Sequence, residues 1–454
     1  MDISGKNLIK IDDKIILLSM MEDCTQHRLA RYIEGNLQMN TPMDILFYQP
    51  LQDVFSGVIQ YDFIRRMAET NIRGINDEII ALVKKEKPKY VLWISTMYEI
   101  MESTLDAIRQ EGSIVVTWFG DDEYRFGHYC KWWLPHIDYC VTHDPESVPR
   151  YEALGSRAIF AFPCEGVPVQ RDWSKIEEKY EVSFIGRKSK TNREQQISEI
   201  MNMNIPVSAF GRGWDGGFVT LEEMVDIFRT SKINLNFAGT GVRKGIKGRM
   251  TFICMAGGFL LTEYIPGLED YFEIGKEIVC FNDTEEMIDK INYYLSHDEE
   301  RRAIARAGWT RAVNEYTPTQ MMSRIFTEIE NDIATGEEKE QPVKMKMPIW
   351  VKNSPSQYYF QWGRAYMEAG YEDLWKDTLA LALSSNPFNI SAGYYSIIGL
   401  FPSSVRPLFF KLYLPFRAAR KLFGKVIVRL LIWSNSIPGL NILKRNVSKK
   451  LHYS

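Results

Sequence analysis

Four cations lie in a stretch broken by glycines, GTGVRKGIKGR (residues 239–249). They are Arg243, Lys244, Lys247 and Arg249. Arg and Lys donors can surround the oxygens of a diphosphate, and glycines let a loop close around an anion. A basic surface loop is more often simply solvated, so this interpretation depends on the elements that position the loop.

A second group of residues follows in MAGGFLLTE (255–263). Gly257 and Gly258 have no Cβ atoms, and we interpret them as a point where backbone approaches a ligand closely. The apolar run after them predicts a short buried strand with Glu263 at its carboxyl end. Ligands bind at the carboxyl ends of strands in open α/β sheets, so Glu263 is a candidate catalytic or sugar-binding residue.

The next residues, YIPGLEDYF (264–272), add a turn and an acid. Pro266 and Gly267 predict the turn, and Leu268 is expected to begin a helix over 268–272 whose first amides favour an anion. Glu269 would lie close by. Cations for phosphate and carboxylates for hydroxyls together indicate a nucleotide-sugar site, although each feature alone is more often structural.

A third group, Asp121, Asp122 and Glu123, follows the apolar run SIVVTWFG (113–120). A carboxylate there could orient an acceptor hydroxyl or serve as its general base. The three acids also resemble a DxD-like metal pair, but we favour the acceptor role. Asp121 could equally cap the next helix. His143, after the apolar run DYCVT, either reaches the same place or is an ordinary loop histidine.

Short apolar runs alternate with helical stretches from residue 14 to about 330, which predicts doubly wound parallel α/β structure. In the first half the predicted strands cover 14–20, 43–49, 90–95, 113–120, 138–144 and 157–163. The pattern restarts with predicted strands at 180–187, 206–214, 233–239, 258–263 and 277–283. Gly211 falls in the second of these and is a candidate residue for binding the donor nucleotide or sugar. The fold class is therefore α/β, with two Rossmann-like domains facing a cleft and an α-helical C-terminal tail.

We predict four regions: an acceptor-side domain over 1–170, a nucleotide-sugar donor domain over 171–330, a linker over 331–349 and a helical tail over 350–454. The six cysteines show no CxxC spacing, which argues against a disulfide framework or thiolate metal site and suits a reducing cytosol. The sequence has no apolar signal core and no run of 18 apolar residues, so neither a leader nor a membrane span is expected.

The longest motif is GGFLLTEYIPGLEDYFEIGKEIV (257–279), followed by YYLSHDEERRAIARAGWTR (293–311). With WFGDDEYRF before it and FIGR after the interdomain link, it resembles the spore-maturation CgeB-like glycosyltransferases of the GT-B class. The resemblance covers roughly residues 90–325. It implies transfer of a sugar from a nucleoside-diphosphate donor, with no cofactor and no metal required, and suggests retention of the anomeric configuration.

By resemblance, Arg187, Lys247 and Arg249 would face the donor diphosphate, and Glu263 and Glu269 would lie near the nucleotide or sugar. Related enzymes usually have Phe-Glu before the small-residue run, and that Glu binds the donor ribose. Here Phe252 stands at the Glu position. Either ribose is held differently, for example by Glu269, or donor binding is weakened or lost.

The charge is unevenly distributed. Residues 378–454 contain 11 Lys or Arg and no Asp or Glu, whereas the first 377 residues carry a net charge of −14. Residues 406–433 are basic and amphipathic, which favours an anionic membrane surface as partner over the acidic body of the protein itself. Nucleic acid is not expected. A tetratricopeptide-like unit over 358–387 predicts a helical hairpin before this segment.

The preferred hypothesis is a cytosolic glycosyltransferase, peripheral at the inner membrane face, that acts on a cell-surface or spore-surface glycan or on a protein. Two alternatives remain open: a nucleotide-sugar epimerase with the same two-domain cleft, and a non-catalytic glycan-binding or assembly protein with a degenerate donor site.

Overall fold

The computed structural model describes residues 8–20, 43–175, 177–188, 193–238, 245–336, 342–343, 349–404 and 406. The first half builds a six-stranded parallel sheet of order β2-β1-β3-β4-β5-β6. Its strands are β1 (Ile11–Ser19), β2 (Phe55–Asp62), β3 (Tyr90–Ser95), β4 (Ile114–Phe119), β5 (Tyr139–Thr142) and β6 (Arg157–Phe160). Every residue of β3 is buried, as expected of a central parallel strand covered on both faces.

Six α-helices within the described residues connect and cover these strands. They are α1 (Gln49–Val54), α2 (Phe63–Glu69), α3 (Ile72–Glu86), α4 (Glu102–Gln110), α5 (Asp122–Arg125) and α6 (Val148–Glu152). α3 has a defined start and end: Asn71 caps its N-terminus by accepting from Gly74 N–H at 2.8 Å, and Lys87 leaves it in a left-handed conformation.

One predicted strand is wrong. Residues 43–49 form a π-helical turn, Asp44–Tyr48, that runs into α1, and the second strand is β2 instead. Leu46, Phe47 and Leu51 are all buried. A short apolar run cannot distinguish a buried strand from a buried helix, so the sequence pattern left this choice to tertiary packing.

The second half builds a five-stranded parallel sheet of order β11-β10-β9-β7-β8. Its strands are β7 (Tyr180–Ile185), β8 (Val207–Phe210), β9 (Ser231–Asn236), β10 (Leu260–Glu263) and β11 (Val279–Phe281). Its helices are α7 (Arg193–Asn202), α8 (Leu221–Thr230), α9 (Arg249–Met255), α10 (Thr284–Ser296) and α11 (Asp298–Glu315). The predicted fold class of two Rossmann-like domains is confirmed.

The chain then returns to the first domain. α12 (Pro318–Thr335) packs against the first sheet, where Glu330 accepts from Lys89 Nζ at 2.7 Å and from Tyr90 Oη at 2.8 Å. We predicted the second domain to extend to residue 330, whereas α12 belongs by its contacts to the first. Phe162 and Tyr316, one on each interdomain crossing, lie with ring centroids 4.7 Å apart.

The tail continues as α13 (Ile349–Ala369), α14 (Glu372–Ser385) and α15 (Ile390–Ile398). The predicted hairpin is present: a Cβ on Gly363 of α13 would lie 2.7 Å from Leu379 Cδ2 of α14, so the two helices are in close contact. α13 also packs on the first domain, with ring centroids of Tyr98 and Tyr358 6.3 Å apart. Residues 407–454 lie outside the described part of the chain.

No helix in the part of the chain that the structure describes is long and apolar enough to span a membrane. The five described cysteines are free and buried: Cys130, Cys140, Cys164, Cys254 and Cys280. Burial raises the pKa of each thiol, which disfavours the reactive thiolate form.

Candidate functional site

An ion pair joins the two domains. Lys247 Nζ, just before α9, lies 3.0 Å from Glu123 Oε1 in α5. Only 9% of the Glu123 side chain is exposed, so this contact is well shielded from water. The contact brings a cation predicted for the donor phosphates against a carboxylate predicted for the acceptor side.

Arg249, the first residue of α9, lies beside this pair. Its Nη1 donates to Asn236 Oδ1 at 3.3 Å, and its Cζ lies 5.7 Å from the ring of Phe184. Burial, together with repulsion from Arg193, lowers the pKa of Arg249 to about 10, so it remains a cation at neutral pH. A guanidinium that has lost hydration gains strongly from an anionic partner, so Arg249 is suited to bind a phosphate.

Glu263 ends β10 and organises the backbone beside Arg249. Its Oε2 accepts from Ala238 N–H at 3.0 Å, two residues after β9. Arg193 at the start of α7 donates to the Phe237 carbonyl at 3.4 Å, and its charge interacts with that of Glu263. Burial lowers the pKa of Arg193. Glu263 therefore lies where the sequence placed it, next to a cation that the sequence analysis did not identify.

Gly211 lies at the adjacent strand ends of β7 and β8. Its φ of +107° and its position leave no room for a side chain, because a Cβ would lie 2.5 Å from the Gly186 carbonyl oxygen. Gly186 N–H donates to the Phe210 carbonyl at 2.8 Å. Arg187 follows Gly186 and is exposed. Gly211 thus holds the two strand ends together next to Arg187.

Gly257 and Gly258 lie at the amino end of β10, at the opposite end from Glu263. A Cβ on Gly257 would lie 2.6 Å from Arg171 Cδ, and a Cβ on Gly258 would lie 2.6 Å from the Phe228 carbonyl oxygen. Protein atoms therefore fill the space that we expected a ligand to occupy. The structure corrects the reason for these glycines: they are required by close packing within the second domain.

The turn after β10 differs from the prediction as well. Pro266 and Gly267 are exposed, and Gly267 has a φ of +85°. The expected helix over 268–272 is only a 3₁₀ turn, Leu268–Asp270, in which Leu268 is buried. Three residues do not provide the aligned amides that the predicted anion site required.

Glu269 lies in this turn and is exposed. It accepts from Tyr264 Oη at 2.6 Å, and this hydrogen bond lowers the pKa of Glu269. Its carboxylate is therefore ionised and held close to the end of β10. Contact with a nucleotide or sugar stays a prediction.

The three acids after β4 differ from one another. Glu123 pairs with Lys247, as described above. Asp121 is exposed, has a left-handed φ of +56°, makes no side-chain cap to α5, and accepts from Tyr124 Oη at 2.9 Å. A non-glycine residue in this conformation costs about 1–3 kcal/mol, a strain that is frequent at functional sites.

Asp122 points into the first domain instead. Only 1% of the residue is exposed, and its Oδ2 accepts from Tyr151 Oη at 2.9 Å. Burial raises the pKa of Asp122 to about 6. The expectation that all three carboxylates face the cleft is thus wrong for Asp122, since a buried tyrosine hydroxyl holds it in the interior.

His143 follows β5 and reaches the site. Its Nδ1 lies 2.5 Å from the Ala161 carbonyl, so Nδ1 carries the proton and Nε2 is the acceptor. Burial lowers the pKa of His143 to about 4, and the charges of Lys247 and Asp121 act on it as well. The ring is neutral at physiological pH.

Glu165 of the interdomain link was not identified from the sequence. Its carboxyl group lies against Gly248, where a Cβ would be 2.1 Å from Glu165 Cδ. Burial raises its pKa, while Arg249 and Lys247 act in the opposite direction. The backbone N–H of Glu165 donates to Thr251 Oγ1 at 3.0 Å, which ties the link to α9. No periodic pattern marks this segment, so only the folded chain reveals it.

The Phe252 side chain is buried in the protein core. It is 5% exposed, its ring lies 5.4 Å from that of Phe228, and its Cα would be 2.8 Å from a Cβ on Gly166. The side chain fills the core behind α9.

Arg243 and Lys244 lie outside the described residues. Within the described ranges, no group of three or more His, Cys, Asp or Glu side chains is placed to hold a metal ion. The expectation that no cofactor or metal is needed stays a prediction.

Residues 191–327, which include Arg193, Lys247, Arg249 and Glu263, match the glycosyl transferase-like family. Comparison with the curated proteins gave no match. The matched segment contains the second sheet from β8 onward and most of the cations described above.

Among solved structures, HepE of Anabaena in complex with UDP-glucose has a TM-score of 0.45 and 10% identity, covering 70% of this chain and 100% of that chain. Sucrose-phosphate synthase of Thermosynechococcus elongatus has a TM-score of 0.47 and 9% identity, covering 71% of this chain and 100% of that chain. The pneumococcal O-GlcNAc transferase GtfA in complex with UDP and GlcNAc has a TM-score of 0.40 and 11% identity, covering 57% of this chain and 60% of that chain. Likeness of this degree carries no conclusion about this chain, whose architecture is defined by its own two parallel sheets.

Proposed function

We propose that this protein transfers a sugar from a nucleoside-diphosphate donor to a glycan or protein acceptor. The observation that carries the proposal is the ion pair of Lys247 with Glu123 of the acceptor-side domain, with Lys247 and the neighbouring Arg249 inside the segment that matches the glycosyl transferase-like family. Cations from one domain and carboxylates from the other meet at the carboxyl ends of parallel strands, where α/β folds bind ligands.

In this proposal the donor diphosphate lies against Arg249, Lys247 and Arg187, with Arg243 added from the loop outside the described residues. These cations stabilise the negative charge that develops on the departing nucleoside diphosphate. Arg249 is buried before the donor arrives, so it needs little reorganisation. Glu263 holds Ala238, two residues after the end of β9, by accepting from its N–H.

The acceptor enters from the side of Asp121 and Glu123. His143 offers a neutral Nε2, fixed by the bond from Nδ1 to the Ala161 carbonyl, and can accept a hydroxyl proton or orient a sugar hydroxyl. When the diphosphate takes Lys247, the carboxylate of Glu123 becomes available to an acceptor hydroxyl. Retention of anomeric configuration and independence of metal are part of the proposal and follow from the CgeB-like resemblance.

We further propose a cytosolic enzyme that acts on a cell-surface or spore-surface acceptor and lies at the inner face of the membrane. The sequence feature behind this is the basic amphipathic segment 406–433, of which the structure describes only Arg406. An acceptor attached to lipid or to the cell surface suits an enzyme held at that interface.

The test is turnover of UDP-, GDP-, ADP-, CDP- and dTDP-sugars by the purified protein, with free nucleotide as readout. One donor should be hydrolysed slowly without acceptor, and Arg249→Ala should reduce release at least tenfold. Arg229→Ala, an exposed arginine of α8 that pairs with Asp226, is the matched control and should leave release unchanged. Failure of every donor to bind in calorimetry would overturn the proposal.

A binding protein with a degenerate donor site is the second candidate, favoured by the buried Phe252. Replacing Phe252 with Glu separates the two. If the variant gains donor binding that the natural protein lacks, the site is degenerate. If the natural protein binds a donor and the variant loses both binding and stability, Phe252 is a core residue of a working site. An epimerase would interconvert two nucleotide sugars and would transfer no sugar to an acceptor.

A further inference from the structure

The end of the helical tail exposes a group of large apolar side chains, which we call the apolar patch. Its members are Phe388, Ile390, Ile397, Leu400 and Phe401, with exposed fractions of 77%, 60%, 60%, 84% and 40%. Ile390 and Ile397 are seven residues apart and therefore share one face of α15. The other three precede or follow that helix directly. Exposed apolar groups of this density mark an interaction surface rather than ordinary scatter.

The chain around the patch carries no charge. Residues 378–405 contain no Asp, Glu, Lys or Arg. Two of the three acids of the neighbouring helix α14 are paired: Asp377 Oδ1 lies 2.9 Å from Arg73 Nε, and Glu372 pairs with Arg406, while the third, Asp373, is exposed. The patch is thus free of the carboxylates that would repel an anionic surface within its own segment.

Arg406 fixes the start of the basic segment beside the patch. Its side chain is 9% exposed, its Nη2 lies 3.2 Å from Glu372 Oε2, and its Nε donates to the Phe401 carbonyl at 2.9 Å. A further bond, at 3.1 Å, reaches the Gly399 carbonyl. Since Phe401 belongs to the patch, the seven Lys and Arg residues of segment 406–433 begin at its edge.

We propose that the apolar patch inserts into the surface of an anionic bilayer, alongside the basic segment that follows it. This extends the membrane association proposed above, which rests on residues 406–433 alone. Aliphatic and aromatic groups would enter the headgroup boundary while the cations contact anionic lipids, the two contributions on which stable interfacial binding depends. A second copy of the chain fits less well, because a two-fold contact through the patch would bring two equally basic segments together with no acid after Asp377 to neutralise them.

The full-length protein is mixed with vesicles of phosphatidylcholine alone or with phosphatidylglycerol added, and the bound fraction is measured by co-sedimentation. Wild type should bind the anionic vesicles and bind the neutral ones poorly. The double variant Ile397→Gln/Leu400→Gln should bind the anionic vesicles at least fivefold less tightly. Met203→Gln/Phe218→Gln is the matched control, since these residues are 58% and 50% exposed on the second domain and should leave binding unchanged.

Three results would overturn the patch proposal. Equal binding of wild type and patch variant would leave only the basic segment as membrane contact. A wild-type dimer that the patch variant converts to a monomer would identify a second copy as the occupant. A marked loss of thermal stability in the patch variant would show that the patch is covered by the chain's own tail. Absence of wild-type binding to anionic vesicles would overturn the membrane association as a whole, whereas the donor-release assay tests sugar transfer independently.

Discussion

At the scale of single residues, the candidate site depends on the ion pair between Lys247 and Glu123. It neutralises one donor-side cation before any phosphate is present. In the proposed site a diphosphate must therefore compete with a carboxylate for Lys247, whereas Arg249 lies deeper and has no comparable acid bonded to it among the described residues.

Glu123→Gln should strengthen binding of inorganic diphosphate by several-fold, since it removes the competing carboxylate and keeps the side-chain shape. Lys247→Gln should weaken the same binding at least tenfold, because a charge-assisted contact is lost. Isothermal titration calorimetry measures both. Weaker binding in Glu123→Gln would contradict the competition and show that Glu123 helps to hold the anion.

Asp122 gives a pH-dependent prediction. Its pKa in the folded state, about 6, is above the ordinary aspartate value of 3.8, so the folded protein binds this proton more tightly than the unfolded chain. Its contribution to stability is therefore present below pH 3.8 and is lost as the pH rises to about 6. Linkage puts the loss at about 3 kcal/mol.

Asp122→Asn keeps the acceptor for Tyr151 and cannot ionise. Relative to wild type, the variant should gain about 2–3 kcal/mol of unfolding free energy between pH 4 and pH 7. Urea titrations across this range measure the difference. His143, whose folded-state pKa is lowered, destabilises the protein as pH falls, but it is common to both proteins and cancels in the comparison. A pH-independent difference would mean that Asp122 is already ionised in the fold.

At the scale of elements, the strand ends of the second sheet are held by Gly211. The predicted strands were largely right, and β3 matches its predicted range of 90–95. Strand direction also explains one error: Gly257 and Gly258 precede β10, so they had to lie at its amino end, away from Glu263. By contrast, Gly211 directly follows β8, so it lies at the carboxyl edge of the sheet.

Gly211→Ala should destabilise the protein more than Gly112→Ala does, by about 2 kcal/mol or more, because both have positive φ but only Gly211 meets backbone. Gly112 has a φ of +90° and no atom within 4 Å of the position that a Cβ would take, so its substitution measures the cost of the backbone conformation alone. Thermal unfolding of both variants measures the difference. Equal losses would show that the contact with Gly186 relaxes readily.

Other parts of the site could not be predicted because they depend on how the elements assemble. Glu165 lies in a link with no regular pattern and meets Arg249 only when the link packs along α9. Arg193 begins a helix, α7, whose pattern indicates only a surface face, and its nearness to Glu263 depends on the order of β7, β9 and β10. The cations and acids at strand ends were predictable, because the carboxyl ends of parallel strands all lie at one edge of the sheet.

At the scale of the whole molecule, the helical tail completes the core of the first domain. Tyr366 of α13 is fully buried, and its hydroxyl donates to the carbonyl of Met67 in α2. Asn71, which caps α3, also donates to Asp377 of α14 at 3.2 Å. The described tail is therefore a structural part of the first domain.

Tyr366→Ala should lower the unfolding free energy by about 3–5 kcal/mol, and Tyr366→Phe by about 1 kcal/mol through loss of the hydrogen bond alone. Hydrogen exchange should show the loss of protection in α2 as well as in the tail. Tyr371→Ala, 48% exposed on the same hairpin, should change little. Loss of protection confined to residues 349–398 would contradict a shared core.

The two interdomain crossings have a mechanical consequence. The described chain passes from the first sheet to the second between β6 and β7, and back between α11 and α12. Phe162 on one crossing and Tyr316 on the other are in ring contact, so both covalent connections run through nearly one point. Two chain connections that meet at one pivot allow the two domains to rotate about it but not to slide past each other. Glu165, three residues after Phe162, lies against Gly248, so the neighbouring Lys247 and its ion pair with Glu123 are close to this pivot and would shift little as the domains swing.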